Sequence, residues 1–586
     1  MDGRRFIRPR QFLLFVVCGL ASYCSVGNSN ESTPPRSAVI TAPAPPVLGW
    51  NPLYANLQFI PPSRVLPTGL LGNVLDFGAK CDGVTDDRQA IQRALDTVVV
   101  LIFPNRGTCI VNASGGSVRF FETLHRYALA IPSNRTLFMN GSTLKLGDDQ
   151  NAHLFINAHL AGAGDHDIAM IGPGTIDLNK YHQTNPPTGE QSGGFMDQVT
   201  DLTVRDLTFV HVREYALRHF RIQRGYYDNL ICTDSDGSCF AFGVAGIGGP
   251  SDSYFGHLEA HQAAGVATTG AAGNPFIAYG YQNTLVSFLG TDNRFGFKLQ
   301  DGASEWRIGR IEIRRTVADK AVKIMGIHNG PQTKRIAVGE IATFGNYYEG
   351  LYIWESDDIE ITRIISKNDG TGAASAALSI APSGNRVAVK SIALEEAGAG
   401  GISIEGTDLD IGDVYVRNNG RGLAGQDNVG MHSTGQRVKI GALITVDDQS
   451  LPTVAYGLRM HTGATDLDVR AFLPVGSFSV SALNMAASSV RVIDYQTVAT
   501  KFHDGDTTPS VLNGSQFVAA NSAATVVANF AEGLPDQEIT VLCGDSLTIF
   551  DGPPLKLTSP MACKIGNVIR FRFDGATWTE TGRTLM

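Results

Sequence analysis

Long runs of alanine, leucine, glutamate and lysine are scarce in this chain, which argues against a fold built by packing helices. Charge is scarce too. Asp, Glu, Lys and Arg make up 18% of 586 residues, against 43% hydrophobic residues, so a sizeable core is within reach. Positive charge is not in excess: the formal net charge of −9 argues against nucleic acid as a partner, because phosphate neutralisation needs a basic surface. No segment beyond residue 20 is apolar enough to span a bilayer, so no integral membrane segment is expected after signal cleavage. No Cys-x-x-Cys pair and no His/Cys cluster has zinc spacing, so neither a metal–thiolate centre nor a cofactor is expected.

What is present starts with an export signal. Arg4, Arg5, Arg8 and Arg10 precede the apolar run "FLLFVVCGL" (12–20), and small residues near Ser22 and Ser25 supply a cleavage site, giving a signal peptide over 1–24. The mature chain is therefore expected outside the cytoplasm, extracellular or periplasmic. Residues 25–70 are rich in Pro, Ser and Asn and read as a linker or an extended wrap. Five Asn-x-Ser/Thr sequons, at Asn30, Asn112, Asn134, Asn140 and Asn513, carry glycans only in a host that glycosylates. Removing Cys18 and Cys24 from the eight cysteines leaves six, and an oxidising compartment favours disulfides. Pairing in sequence order is the expectation: Cys81–Cys109, Cys232–Cys239 and Cys543–Cys563. Buried free thiols are the alternative.

The decisive signal is an internal repeat. A pattern small–apolar–X–apolar–X recurs as "GFKLQ", "AVKIM", "GLYIW", "ALSIA", "GISIE", an imperfect "GMHST", "GLRMH" and "ALNMA". The central X falls at 298, 323, 352, 379, 403, 432, 459 and 484, in steps of 25, 29, 27, 24, 29, 27 and 25 residues. Steps of this size suit one turn of a parallel β-solenoid, whereas propeller blades are longer. Flanking residues such as Phe297/Leu299 and Leu351/Ile353 are expected inside, with the X residues outward in a ladder at roughly 4.8 Å per turn. The fold class is thus all-β: a parallel β-helix over 71–505, then a small C-terminal β-domain over 510–586. In the latter, "VIRFRF" alternates Ile569, Phe571 and Phe573 with Arg570 and Arg572, and Asp574–Gly575 marks a turn.

Ahead of the repeat stands "VLDFGAKCDGVTDDRQAIQRALD" (74–96). Asp86 with Gln89 reads as a capping pair for a helix whose stripe is Ala90, Ile91, Ala94, Leu95 and Val98. Asp82, Asp86 and Asp87 suggest calcium at first sight, but turn and cap roles explain them. The stretch resembles the opening motif of right-handed β-helix proteins of the pectate-lyase-like superfamily, including the rhamnogalacturonase/epimerase-like pectate lyase domain and family 28 glycoside hydrolase relatives. "IPSNRTLFMNGSTLKLG" and "HDIAMIGPGTIDLN" are similar to early coils of polygalacturonase-type helices. The resemblance implies a right-handed helix, an N-terminal capping helix and a carbohydrate polymer, often uronate-containing, as partner. It leaves the reaction open, since the superfamily holds hydrolases, lyases, epimerases and non-enzymes.

Three functional readings follow. Lys298 and Lys323 would be neighbours on adjacent turns, with Tyr352 next. Two close ammonium groups lower the pKa of one, so a neutral lysine can take a proton while the other neutralises a uronate. Tyr352 can protonate the leaving oxygen, and the arrangement needs no metal. This lyase reading is preferred, with Arg294 flanking the site and Asp301 at the loop end. The runner-up is a hydrolase using Asp236 and Asp301. The polygalacturonase pattern is incomplete here: "DSDGSCF" is loosely similar to one motif, but no Gly-His-Gly and no Arg-Ile-Lys occurs. Its carboxylates must share one cleft, as acid and as base for water. The third reading is a non-catalytic, adhesin-like glycan binder, a homotrimer through its C-terminal domain. His432 and Arg459, further along the ladder, are candidate substrate contacts or plain surface residues.

Overall fold

The computed structural model describes residues 59–585 except 60, 64, 115, 121–122, 161, 185–190, 264–272, 327–329, 373–374, 421–428, 450–451, 462, 477, 480, 486–489, 496–499, 513–514 and 566. The signal peptide, Cys18, Cys24, most of the Pro-rich segment and the sequons at Asn30 and Asn513 lie outside the described residues. Among the described residues, no helix is long and apolar enough to cross a membrane.

Two sheets run the length of the repeat, one of 19 strands and one of 15. The 15-stranded sheet collects the short strands predicted from the repeat, such as Phe297–Gln300, Val322–Met325 and Leu351–Trp354. The 19-stranded sheet collects longer ones, such as Arg307–Arg314, Thr333–Phe344 and Ser356–Lys367. The chain alternates between the sheets, and each strand pairs in parallel with its equivalent one coil later. This is a parallel β-helix, and parallel crossovers of this kind take the right-handed sense. Alternation decides the core: Phe297, Leu299, Val322, Ile324, Ile353, Leu378 and Ile380 are buried and meet Ile308, Ile311, Ile313 and Val338 from the opposite sheet. Aromatic rings stack from coil to coil inside, as with Phe276 on Phe297 (4.6 Å, 6°) and Tyr227 on Phe255 (4.8 Å, 4°).

The "small" position of the repeat has a steric cause. A Cβ on Gly296 would lie 1.9 Å from the Ala321 carbonyl oxygen, and one on Gly401 2.4 Å from that of Gly430. At these two coils the strand is entered so tightly under the next that the neighbouring carbonyl takes the side-chain position, while Ala321, Ala377 and Ala482 fill the equivalent place with a single methyl group.

Several of the turns leaving the long strands carry a buried amide. Asn293 accepts from the Ala263 N–H and donates to the Ala260 carbonyl; Asn346 and Asn419 accept from Thr316 and Ala397 in equivalent places. Asp369 places a carboxylate at the equivalent position, one coil after Asn346. It accepts from the Asn346 backbone N–H (2.9 Å), Asn346 Nδ2 (2.7 Å), Thr343 (2.5 Å) and Ser366 (2.5 Å), yet its burial outweighs these and raises its pKa. A raised folded-state pKa means that the folded chain holds a proton the unfolded chain has lost. Stability then falls as pH rises from the ordinary carboxylate range to the raised value. We predict that Asp369→Asn melts above the native chain at pH 7 and that the difference shrinks at pH 4, measured by thermal unfolding at both.

The helix Arg88–Thr97 buries Ala90, Ile91, Ala94 and Leu95, the expected stripe. Its cap differs from the Asp86–Gln89 pair. Asp87 is the N-cap residue, but its carboxylate turns back to the N–H groups of Lys80 and Cys81, and Asp86 instead accepts from the Arg88 N–H. Asp82 accepts from Val84 and Thr85, bonds that hold it at about 2. These aspartates shape turns. The helix also covers an open strand edge. The Gln92 amide accepts from the Ala130 N–H (3.0 Å) and donates to its carbonyl (2.9 Å), while Arg88 Nε donates to the Ala128 carbonyl. Gln92→Ala should lower unfolding stability by roughly 1–3 kcal/mol, the cost of stripping backbone groups of their partners, read from the denaturation midpoint.

All three disulfides pair in sequence order: Cys81–Cys109, Cys232–Cys239 and Cys543–Cys563. After the repeat, a separate core gathers Phe502, Phe517, Phe530, Ile569, Phe571 and Trp578, so it begins several residues before 510. Strands Val568–Phe573 and Trp578–Thr584 form a hairpin across Asp574–Gly575. The described residues before the first strand reach far along the outside: Thr136 donates to the Pro67 carbonyl, and the Phe59 ring lies 3.1 Å from a Cβ built on Gly309.

Candidate functional site

The register of the short-strand sheet puts the eight X positions in one column. Lys298 pairs with Lys323, Lys323 with Tyr352, Tyr352 with Ser379, and the series continues through Ser403, His432, Arg459 and Asn484. Parallel strands without a register shift leave like positions in contact whatever their charge. Two lysines are therefore held one strand spacing apart, about 4.8 Å at the backbone.

Their surroundings make them unlike. Lys323 Nζ bonds the carboxylate of Asp319, whose other oxygen accepts from the Lys320 N–H (2.8 Å). Among the described residues no carboxylate is bonded to Lys298 in the same way; burial, then Lys323, lowers it to about 8, despite the pull of Asp301 and Asp319. Lys320 sits 3.6 Å from Glu349 and over the Tyr352 ring at 4.9 Å. Burial, then Glu349, Glu405 and Glu355, raises the Tyr352 pKa, so its hydroxyl keeps its proton. A cavity of about 270 Å³ is lined by Lys298, Asp319, Lys320, Lys323, Met325, Tyr352 and Trp354. It is small beside the roughly 300–1,000 Å³ of pockets for drug-sized ligands, and suits a sugar unit.

Asp301 follows the strand that carries Lys298, in the next turn. Burial raises its pKa, against the pull of Lys298 and a hydrogen bond with the Tyr279 hydroxyl. Asp236 lies elsewhere. It precedes its short strand, Ser238–Phe242, while Asp301 follows Phe297–Gln300, so the two occupy opposite edges of the same sheet. The structure does not bring them together as the carboxylate pair of a hydrolase. Asp236 instead joins an ion-pair cluster: Lys180 Nζ lies 2.6 Å from Asp234 and 3.0 Å from Asp236, and Arg213 reaches Asp236 at 3.0 Å. Burial pushes Asp234 up, but hydrogen bonds from Lys180 and Tyr181 outweigh it and hold the group below its ordinary range. A carboxylate so held is a poor general acid.

The remaining candidates stand apart. Arg294 precedes the Lys298 strand and lies over the Phe295 ring at 5.2 Å. Arg459 lies over Tyr456 at 5.3 Å, five coils beyond Lys323 in the column, roughly 24 Å by the strand spacing. The His432 backbone sits in the column, and its side chain lies outside the described residues. Cys81, Asp87 and Cys109 converge, but the two sulfurs are bonded to each other and offer no thiolate to a metal. Sequence reasoning missed Asp319, Lys320, Met325 and Trp354. Asp319 stands four residues before Lys323, and Trp354 two after Tyr352, the next outward position of its strand.

We predict that Lys298 titrates near 8 and that Lys323→Met moves it upward by removing the repulsion. NMR of reductively methylated lysines, with Lys298→Arg to assign the resonance, checks both.

Scanned against protein families, the chain matches none, and no curated protein sequence matches it. Solved structures do resemble it. The mannuronan C-5 epimerase AlgE6 A-module of Azotobacter vinelandii is 17% identical over 73% of this chain and 99% of that one, with a TM-score of 0.38. The tailspike protein of E. coli bacteriophage HK620, solved with a pentasaccharide, is 11% identical over 71% and 78%, with a TM-score of 0.46. PfbA, a surface adhesin of Streptococcus pneumoniae, is 12% identical over 88% and 99%, with a TM-score of 0.37.

Proposed function

We propose that this protein binds an acidic polysaccharide outside the cytoplasm and cleaves it by β-elimination at the Lys298/Lys323/Tyr352 site. One observation carries the reading: a lysine lowered to about 8 stands in register beside a second lysine that keeps an aspartate partner. The first can lose its proton near neutral pH, while the second is bonded to Asp319.

The chemistry then runs as follows. Lys323 engages a uronate carboxylate with the N–H groups that Asp319 leaves over, and its charge stabilises the carbanion-like state that forms at C5. Neutral Lys298 takes the C5 proton. The C4–O4 bond breaks, a C4–C5 double bond forms, and the departing oxygen takes a proton from Tyr352. Bulk water returns the proton from Lys298 to Tyr352. The three disulfides are in keeping with an oxidising compartment.

The test is incubation with a panel of uronate polysaccharides. New ultraviolet absorbance from an unsaturated sugar supports elimination. Reducing ends without absorbance support hydrolysis, and binding with neither product supports a non-catalytic glycan binder. Because the base must be neutral, kcat/KM should climb as pH rises through about 8. Lys298→Arg, which keeps the charge but cannot deprotonate, should lose roughly 10²–10⁴-fold in kcat. Full activity in Lys298→Ala and Lys323→Ala would sink the proposal.

A further inference from the structure

The elimination chemistry leaves one wall of the cavity without a task. Two residues beyond the lysine column, a second outward column runs Gln300, Met325 and Trp354, again one partner per coil. Met325 and Trp354 line the same cavity as the lysines. The cavity therefore joins a cationic side, Lys298, Lys320 and Lys323, to an apolar side, Met325, Trp354 and the Tyr352 ring.

Carboxylates stand around the Tyr352 side of the cavity. Glu349, Glu405 and Glu355 all act on the Tyr352 hydroxyl; Glu349 is shared with Lys320, and Glu405 accepts from Ser403 at 3.3 Å. A carboxylate one sugar beyond the lysines would stand among glutamates and against an indole. Like charges repel it, and the apolar surface gives it no partner. An uncharged sugar meets no such penalty there, and its C–H face packs on the indole and the thioether.

We infer that the site selects an acidic heteropolysaccharide, in which a uronate held by the lysines is joined to an uncharged sugar resting on Trp354 and Met325. This rests on the lysine site proposed above and adds the class of its neighbour. It also predicts discrimination against polymers of uronate alone.

Trp354 supplies a reporter. Of the four tryptophans, Trp306 and Trp578 are fully buried and Trp50 lies outside the described residues, so Trp354→Phe isolates the cavity signal. The full chain is titrated with alternating polymers (hyaluronan, heparosan and a uronate–deoxyhexose polymer) and with the homopolymers polygalacturonate and polymannuronate. At least one alternating polymer should quench the Trp354 fluorescence and bind roughly tenfold tighter than either homopolymer. Trp354→Phe should keep the preference and lose the quench, whereas Trp354→Ala, checked for folding by circular dichroism, should lose the preference. Homopolymers bound as tightly as every alternating polymer, or a preference that survives in Trp354→Ala, overturns the inference. The two proposals fail separately. Unsaturated product released equally from homopolymers sinks the selectivity and leaves the elimination. A binding preference that depends on Trp354 without any unsaturated product sinks the elimination and leaves the selectivity.

Discussion

The repeat hangs on the parallel hydrogen-bond ladder, which from Lys298 to Asn484 stacks each coil on the last without a change of register. Because equivalent residues are superposed about every 4.8 Å, a side chain's nearest neighbours are its counterparts one coil away. Where the position is apolar, as at Phe276 and Phe297, repetition stabilises the fold by stacking. Where it is an amide, as at Asn293 and Asn346, it satisfies buried backbone groups. Where it is a lysine, repetition forces two like charges together. The same geometry that builds the core thus brings the two lysines of the candidate site together.

The ladder also explains how much could be read from sequence. The solenoid, the inward and outward faces and the column from Lys298 to Asn484 all follow from a repeat with one strict feature, and the register preserves that feature. Turn residues obey no such rule. Asp319 and Lys320 lie in a connection whose path the repeat does not constrain, so their meeting with Lys323 and Tyr352 was not legible. Asp236 and Asp301 are the carboxylates of the hydrolase reading, yet one precedes and the other follows its strand. The cap of the helix Arg88–Thr97 fell one residue late because the Asp87 carboxylate is drawn to the N–H groups of Lys80 and Cys81.

Lys298 and Asp369 show two outcomes of burying a titratable group in a repeat. Asp369 occupies an amide's place and is surrounded by donors that an asparagine would serve as well. Lys298 is half-buried beside another cation, an arrangement that costs stability and that a neutral residue would relieve. Strained groups of this kind concentrate where chemistry needs them. The Lys298 environment carries a cavity and a second, differently partnered lysine, whereas Asp369 is met by the hydroxyls of Thr343 and Ser366 and the amide of Asn346.

Contacts in a solenoid are local, since each coil touches only the coils beside it. The Phe59 ring against Gly309 breaks that rule with a sequence separation of 309 − 59 = 250 residues. A chain emerging from the ribosome can wind its first coils as they appear, but this contact must wait until the Gly309 coil exists. Six strand steps separate Arg135–Phe138, near Pro67, from Arg307–Arg314, so the outer segment spans coils that otherwise communicate only through their neighbours. It acts as a tie across the stack: fraying of the coils beneath it is opposed at both of its ends, and loss of the Phe59 anchor would return those coils to the piecemeal unravelling of an ordinary repeat array.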